Sequence, residues 1–455
     1  MSDQDANATG ANPSSRKDFL LKAGSAAMGV AAMAVAAPAL SASAQIQVGR
    51  LLKRAPVALK FSLWMAPDER KALQKVLPLF YHHFPDINVK VVDVTGPDWG
   101  REKLETLIAG GGAPDVMQLN TGQFEAFASR GALMALDSYF KRDHVDLNLY
   151  VPGTWPGCKW NGKIYGTPRF LSVHCIYYNK DKFRKARVPF PRPGWRWDEF
   201  RATAKKLTDA KHHQWGFGLI PDVWAWGAFV MMNGGQILSA DRKKCLLDNP
   251  RTIEALDFYF GLQFRDKVVP PPGSLPPAQN WAGAQLTAES VAMAILGPWF
   301  RPAMAELTGK AAFDWDVVTT PVSPRTHRTA STLYTDQWSA SATTAHPEEA
   351  WQLVKWLGGN EFHENWLRVF GASSLDAVKP VVESSAWVDF GRHSGRPFLQ
   401  ELTYAAPPPV NFAQGGRVQD VWNPELQLVQ IGQESAATAV KKICDKADPI
   451  LAQST

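Results

Sequence analysis

The chain is short of cysteine, of long apolar runs and of catalytic signatures. Its four cysteines, Cys158, Cys175, Cys245 and Cys444, are scattered through 455 residues. None sits in a C-x-x-C or Cys/His spacing, so no sequence-local structural metal site is expected. In an oxidising compartment Cys158 and Cys175 either bridge, closing a hairpin-like segment, or stay as two buried thiols. Beyond residue 44 no stretch is long and apolar enough to span a bilayer. No G-x-S-x-G elbow, H-E-x-x-H helix or Walker A loop occurs. The pairs His82-His83 and His212-His213 lack an acidic partner at metal-site spacing and read as surface loops. The balance of 49 basic against 43 acidic side chains gives a net charge of +6. That modest bias favours solubility over a nucleic-acid surface. No nucleic acid, cofactor or metal is expected, and a monomer is.

What is present begins with an export signal. Ser15-Arg16-Lys17-Asp18-Phe19-Leu20 precedes an Ala-rich apolar run ending in Ala42-Ser43-Ala44, the basic, apolar and small-residue order of a cleavable leader. The basic pair resembles the twin-arginine motif, with Lys17 in place of the second Arg. Residues 1–44 are therefore read as a leader, and a soluble periplasmic protein as the product. Tryptophan is the second positive feature, with 18 residues, none in the first 44. Many sit in loop-like stretches near Gly, Pro, Asp or Asn, among them Trp64, Trp99, Trp224, Trp226, Trp281, Trp299 and Trp338. A core prefers Leu, Ile and Val, which carry no N–H needing a partner. Indoles in polar loops suit a sugar ring, which has C–H faces and a hydroxyl rim.

The mature chain exceeds what one core usually supports, so two domains are expected. Residues 57–64 read as a strand, 68–84 as a helix, 88–94 as a strand, 100–109 as a helix and 115–119 as a strand. This alternation predicts an α/β layer architecture with a mostly parallel sheet. Ligands bind such sheets at the carboxyl ends of strands. Further strands are expected at 173–178, 216–220 and 288–296, with helices at 197–207, 253–264, 347–357 and 426–447.

The order of several short motifs resembles the family 1 extracellular solute-binding proteins of ABC importers, the maltose-binding-protein-like group. They are Leu63-Trp64, Ala113-Pro114-Asp115-Val116, Gly162-Lys163-Ile164-Tyr165-Gly166-Thr167-Pro168, Tyr178-Asn179-Lys180-Asp181, Glu289-Ser290-Val291-Ala292-Met293 and Gly297-Pro298-Trp299. The resemblance implies a two-lobed periplasmic-binding-protein fold, with hinge-linked lobes closing on a central ligand cleft. Lobe 1 is then expected at 45–168 plus 335–390 and lobe 2 at 169–334 plus 391–455. It also implies a carbohydrate ligand, importer permease subunits as partners, and no catalytic residue.

Candidate ligand contacts follow the strand ends. Trp64 and Asp68 lie after the first strand, Asp98 and Trp99 after the second, Asn120 and Thr121 after the third. Asp68 could equally start a helix and Asn120 or Thr121 cap one. Trp224, Trp226 and Asn233 are candidates from the second lobe, and Asn233-Gly234 also reads as a turn. Trp299 corresponds to the family's ligand-stacking tryptophan. Asp336, Gln337 and Trp338 lie at the presumed second crossing, and Trp422 offers a platform for a longer sugar or packs the last helix. Two other functions stay open. Arg169, Arg325 and Arg417 could bind a phosphorylated polyol such as glycerol phosphate or a glycerophosphodiester. A secreted glycoside-active enzyme would pair Asp98 with Glu289 or Asp336.

Overall fold

The computed structural model describes residues 56–65, 67–96, 100–309, 312–390, 395–407 and 415–453. The leader at residues 1–44 and the pair Asp98 and Trp99 lie outside the described residues. The first sheet starts with β1 (Val57–Leu63), α1 (Pro67–His83), β2 (Ile87–Asp93), α2 (Arg101–Ala109), β3 (Val116–Asn120) and α3 (Thr121–Ser129). Helix α1 turns Leu73, Val76, Leu77 and Phe80 inward, the i, i+3, i+4, i+7 stripe of a core-facing helix. Helix α3 begins with a capping box. Asn120 accepts from the Gln123 N–H at 3.0 Å, and Gln123 Oε1 accepts from the Asn120 N–H at 3.2 Å.

After a short hairpin, β4 (Gly166–Ser172) completes this part of the sheet, and β5 (Cys175–Asn179) opens the next one. The second sheet adds β6 (Trp215–Gly218), α4 (Val223–Met232), α5 (Pro250–Phe264), α6 (Ala282–Thr287), β7 (Val291–Leu296) and β8 (Trp315–Val318). The chain then returns through β9 (Tyr334–Ala340) to the first sheet, followed by α7 (Pro347–Leu357) and α8 (Asn360–Phe370). Helices α9 (Arg396–Leu402), α10 (Gly415–Gln430) and α11 (Ala436–Leu451) end the fold.

The first sheet has six strands, in the order of the two-residue strand Leu375–Asp376, then β4, β9, β3, β1 and β2. The second has four, β8, β5, β7 and β6. Both are mixed where a mostly parallel sheet was expected. β1 pairs in parallel with β2 and β3, but β9 is antiparallel to β3 and β4. Similarly β7 is parallel to β6 and antiparallel to β5. The reversal follows from topology, because β9 re-enters the first sheet from the side at which β4 leaves it.

Helix α4 was not legible as a helix. Its sequence VWAWGAFVMM is apolar on every side, so it has no 3.6-residue stripe, and eight of its ten residues are buried. The terminal helical region read as one at 426–447 is two helices, α10 and α11, broken by a turn at Gly432, whose φ is +75°.

Of the two alternatives for Cys158 and Cys175 the structure shows the buried thiols, and it adds a disulfide that the sequence reading did not offer. Cys245 and Cys444 form a disulfide spanning 199 residues, while Cys158 and Cys175 are buried free thiols. Cys158 follows the 3-10 turn Pro152–Gly157 and directly precedes the short strand Lys159–Trp160, and Cys175 starts β5 in the middle of a sheet. Nearness in sequence did not bring them together.

Candidate functional site

Strand register brings two edges face to face. In the first sheet β1, β3 and β4 end at Leu63, Asn120 and Ser172, and antiparallel β9 begins beside them. Tyr334 lies opposite Ser172, and Asp336 opposite Asn120. In the second sheet Cys175, opening β5, pairs with Leu296, closing β7. The chain passes between the sheets at 173–174 and 333. Each set of carboxyl ends is therefore directed at these passages, the position at which α/β sheets hold ligands. The passages are bonded to one another. The His174 N–H donates to Ser331 Oγ at 2.9 Å, and the Leu333 N–H donates to Ala406 O at 2.8 Å. Burial lowers the His174 pKa to about 4, so its imidazole is neutral.

On the first edge, Trp64 follows β1 and is half-buried. Asp68 is exposed in the first turn of α1, where it pairs with Lys71 at 3.0 Å. Asn120 spends its side-chain oxygen on the helix cap. Thr121 Oγ1 donates to Thr335 O at 2.9 Å, stitching α3 to β9. Asp336 is buried, accepting from Gln118 Nε2 at 3.0 Å and from Arg169 Nη1 at 3.4 Å. Burial raises its pKa to about 6, offset in part by the Arg169 charge. Arg169 also approaches Glu69 at 3.7 Å and lies over the Trp338 ring at 4.8 Å. This charge cluster sits beneath the edge and fixes β4 against β9. Gln337 Nε2 donates to Asn120 O at 3.4 Å and is fully buried.

On the second edge, Asp222 caps α4 by accepting from the Trp224 N–H at 3.2 Å. Trp224 is half-buried, and its ring lies 3.6 Å from that of Tyr334, centroid to centroid. Thr332 Oγ1 donates to Trp224 O at 2.5 Å, so this indole is tied to a passage segment. Trp299 follows the Gly297-Pro298 turn after β7 and keeps 39% of its surface exposed. A Cβ at Gly297 would collide with the Trp299 indole and come within 2.7 Å of Ser172 Oγ. Trp299 and Trp224 of the second edge thus adjoin Ser172 and Tyr334 of the first, and Trp64 follows β1 on that same first edge.

Four expected contacts belong elsewhere. Trp226 and Trp422 are fully buried and pack edge to face at 5.5 Å in the core beside α4 and α10. Trp338 is 1% exposed, against Phe61 at 5.4 Å, because β9 is a central strand covered on both faces. Asn233 is fully buried at the end of α4. Its amide donates to Arg251 O at 2.8 Å and its oxygen accepts from Ser323 Oγ at 2.7 Å. Two aromatic side chains left out of the expected set lie beside these residues. Tyr334 starts β9 at the passage, and Trp281 flanks Trp299. A hollow lined by Arg169, Phe362, Trp366, Ser373 and Trp387 has a volume of about 20 Å³, room for little more than one water.

Residues 66–363 match the family described as bacterial extracellular solute-binding protein. A putative binding protein of Brucella abortus is 25% identical over 359 residues, 77% of this chain and 82% of that protein. The maltotriose-binding protein of Pyrococcus abyssi is 23% identical over 312 residues, 66% of this chain and 63% of that protein. Among solved structures, the ABC substrate-binding protein Lmo0181 of Listeria monocytogenes in complex with cycloalternan superposes with a TM-score of 0.78. It is 26% identical, over 86% of this chain and 98% of that one. With the family match covering well over half of the sequence, and the same two-lobed fold in the superposed structure, this chain belongs to the bacterial extracellular solute-binding proteins, binding proteins that act outside the cytoplasm.

Proposed function

We propose that this protein captures a sugar or oligosaccharide between the two sheet edges and delivers it to the permease of an ABC importer, without chemical turnover. The observation that carries the proposal is the placement of Trp64, Trp224, Tyr334 and Trp299 around the inter-sheet passages, with Trp299 exposed. Flat apolar faces with N–H or O–H edges suit pyranose rings, and closure of the lobes sharpens discrimination by leaving any unmatched polar group dry, at roughly 1–3 kcal/mol each. The maltotriose-binding relative and the cycloalternan complex support the ligand class. The lobes are assigned as 45–168 plus 335–390 and 169–334 plus 391–455, acting as a monomer in the periplasm after export, with a twin-arginine route for the leader.

The three arginines that could have drawn a phosphate are engaged. Arg169 is buried against Glu69 and Asp336, Arg325 pairs with Glu254, and Arg417 donates to Gln453. This supports a neutral ligand over a phosphorylated polyol. Glu289 lies at the amino end of β7, where Asn179 Nδ2 donates to it at 3.1 Å. A six-residue strand, about 20 Å long, separates it from the passages and from Asp336. Of the other pairing, Asp98 lies outside the described residues and Asp336 is buried against Gln118 and Arg169; the placement of Glu289 and Asp336 supports binding over glycoside hydrolysis, which needs two carboxyls flanking one bond.

Titration with mono- and oligosaccharides, followed by intrinsic tryptophan fluorescence, tests the reading. A saturable change is expected for at least one sugar, with binding weakened tenfold or more, at least about 1.4 kcal/mol, by Trp299→Ala. A flat response across the panel, with a saturable one to a phosphodiester, would overturn the carbohydrate assignment. Release of a cleaved product would overturn the assignment as a binding protein.

A further inference from the structure

We infer that the hairpin at residues 237–246 is a latch between the lobes, with Arg242 at its tip gripping Glu125, and that the Cys245–Cys444 disulfide keeps the tip in place. The inference rests on the two-lobed reading above, with the lobe spans proposed there, and not on the class of ligand. Arg242 belongs to the span assigned to lobe 2, and Glu125 lies on α3 in lobe 1. Arg242 Nη1 donates to Glu125 Oε2 at 2.8 Å. The Glu125 side chain is only 10% exposed, so its carboxylate has given up most of its water and depends on a charged partner. A side-chain contact of this kind breaks and re-forms without change in either core, as a hinged closure requires.

The tip is shaped before it reaches α3. The Ser239 N–H donates to Lys244 O at 2.9 Å, and the Leu246 N–H to Ile237 O at 2.9 Å. Within the turn, the Arg242 N–H donates to Ser239 O at 2.8 Å, and Ser239 Oγ donates to Asp241 Oδ1 at 2.6 Å. Arg242 has a φ of +59°, a left-handed conformation that a residue with a Cβ keeps only where its surroundings impose it. Glycine would take that conformation freely. Arginine there places a guanidinium at the tip.

The base of the hairpin is held on both legs. On the first, Thr252 Oγ1 at the start of α5 donates to Gln236 O at 2.9 Å. Ile237 and Thr332, the latter at a passage, both lie against Gly227 of α4. On the second leg, Asn249 Nδ2 donates to Leu246 O at 2.5 Å. Cys245 is bonded to Cys444 on α11, and its N–H donates to Asp448 Oδ1 at 2.7 Å. A two-stranded hairpin alone is marginal in water. The covalent bond, three residues from Arg242, fixes the leg that carries the tip.

The test uses the whole protein without sugar, so a failure of the carbohydrate reading leaves it intact. Hydrogen–deuterium exchange is compared for the wild type, Arg242→Ala, Glu125→Gln, the pair Cys245→Ser with Cys444→Ser, and that pair combined with Arg242→Ala. It is read over α3, residues 121–129, which holds neither cysteine, and over β1, residues 57–63, as the folded control. Arg242→Ala, Glu125→Gln and the cysteine pair are each expected to speed α3 exchange about threefold to fivefold, with β1 unchanged. Adding the cysteine pair to Arg242→Ala should speed α3 no further, because both act through one contact. If the cysteine pair loosens 237–246 and α11 but leaves α3 at the wild-type rate, the disulfide is a local staple and the inference is overturned. Additive effects in the combination overturn it as well, and wild-type α3 exchange in Arg242→Ala overturns the latch itself. Wild-type protein in dithiothreitol repeats the comparison without substitution. The two thiols of the reductant become its cyclic disulfide, and Cys245 and Cys444 each gain a hydrogen. The same acceleration of α3 is expected, and this measurement decides the case if the cysteine variant loses the protection of β1.

Discussion

Trp226 and Trp422 meet inside the second core with no exposed surface, whereas Trp299 keeps 39% of its surface in solvent. The same residue type therefore has two roles, and substitution separates them. Trp226→Ala should lower stability by about 3–5 kcal/mol, measured by urea unfolding. It should leave sugar affinity intact in the fraction that remains folded. Trp299→Ala should do the opposite, with little change in the unfolding midpoint and a large loss of affinity. In the sequence these tryptophans look alike, since each lies near small or turn-forming residues. What divides them is distant partnership: Trp226 finds Trp422 on a helix near the end of the chain, and Trp338 is covered because β9 is central. Trp299 was legible because a Gly-Pro turn directly after an apolar strand places the next residue at a strand-end edge.

Among the elements, α9 is held by one buried carboxyl. Glu401 Oε1 accepts from the Thr320 N–H at 2.5 Å and from Thr320 Oγ1 at 2.7 Å, and the side chain is fully buried. Burial pushes its pKa up to about 8, against about 4.3 for an unperturbed Glu. The folded state thus keeps a proton that the unfolded state releases. The stability this provides is fully present below about pH 4.3 and declines as pH rises, until the folded carboxyl ionises near pH 8. Glu401→Gln should flatten the fall in unfolding free energy between pH 5 and 8 by up to about 1.4 kcal/mol per pH unit. Denaturant unfolding across that range measures it. The disulfide is the other element-scale tether. The loop before Cys245 is bonded to α11 through Cys444, and the Cys245 N–H donates to Asp448 Oδ1 at 2.7 Å. Its loss in Cys245→Ser with Cys444→Ser should cost about 2–4 kcal/mol, measured by unfolding with and without reductant. The periodic helices α1 and α7 and the opening strand–helix alternation were legible from residue spacing. The disulfide was not, because a pairing across most of the second half of the chain leaves no local trace.

For the whole molecule, the question is how the two sheets and their helices are held together around the passages. The loop anchored by the disulfide carries Arg242, whose Nη1 reaches Glu125 Oε2 on α3 at 2.8 Å. This ion pair joins the second-sheet side to the first away from the backbone passages. Burial raises the Glu125 carboxyl above its usual value, with Arg242 opposing that rise. Because Arg242 is 40% exposed, Arg242→Ala should weaken ligand retention only modestly, by about 1 kcal/mol or roughly fivefold in the dissociation rate. Stopped-flow release of bound sugar measures it. In the proposed complex one sugar touches both edges at once. Hydrogen–deuterium exchange with and without saturating sugar tests it most directly. Simultaneous sugar-dependent protection is expected for residues 63–65 and 172–174 on the first edge and for 281–283 and 297–300 on the second. Protection confined to one edge, or absent from both while sugar is bound, would contradict it.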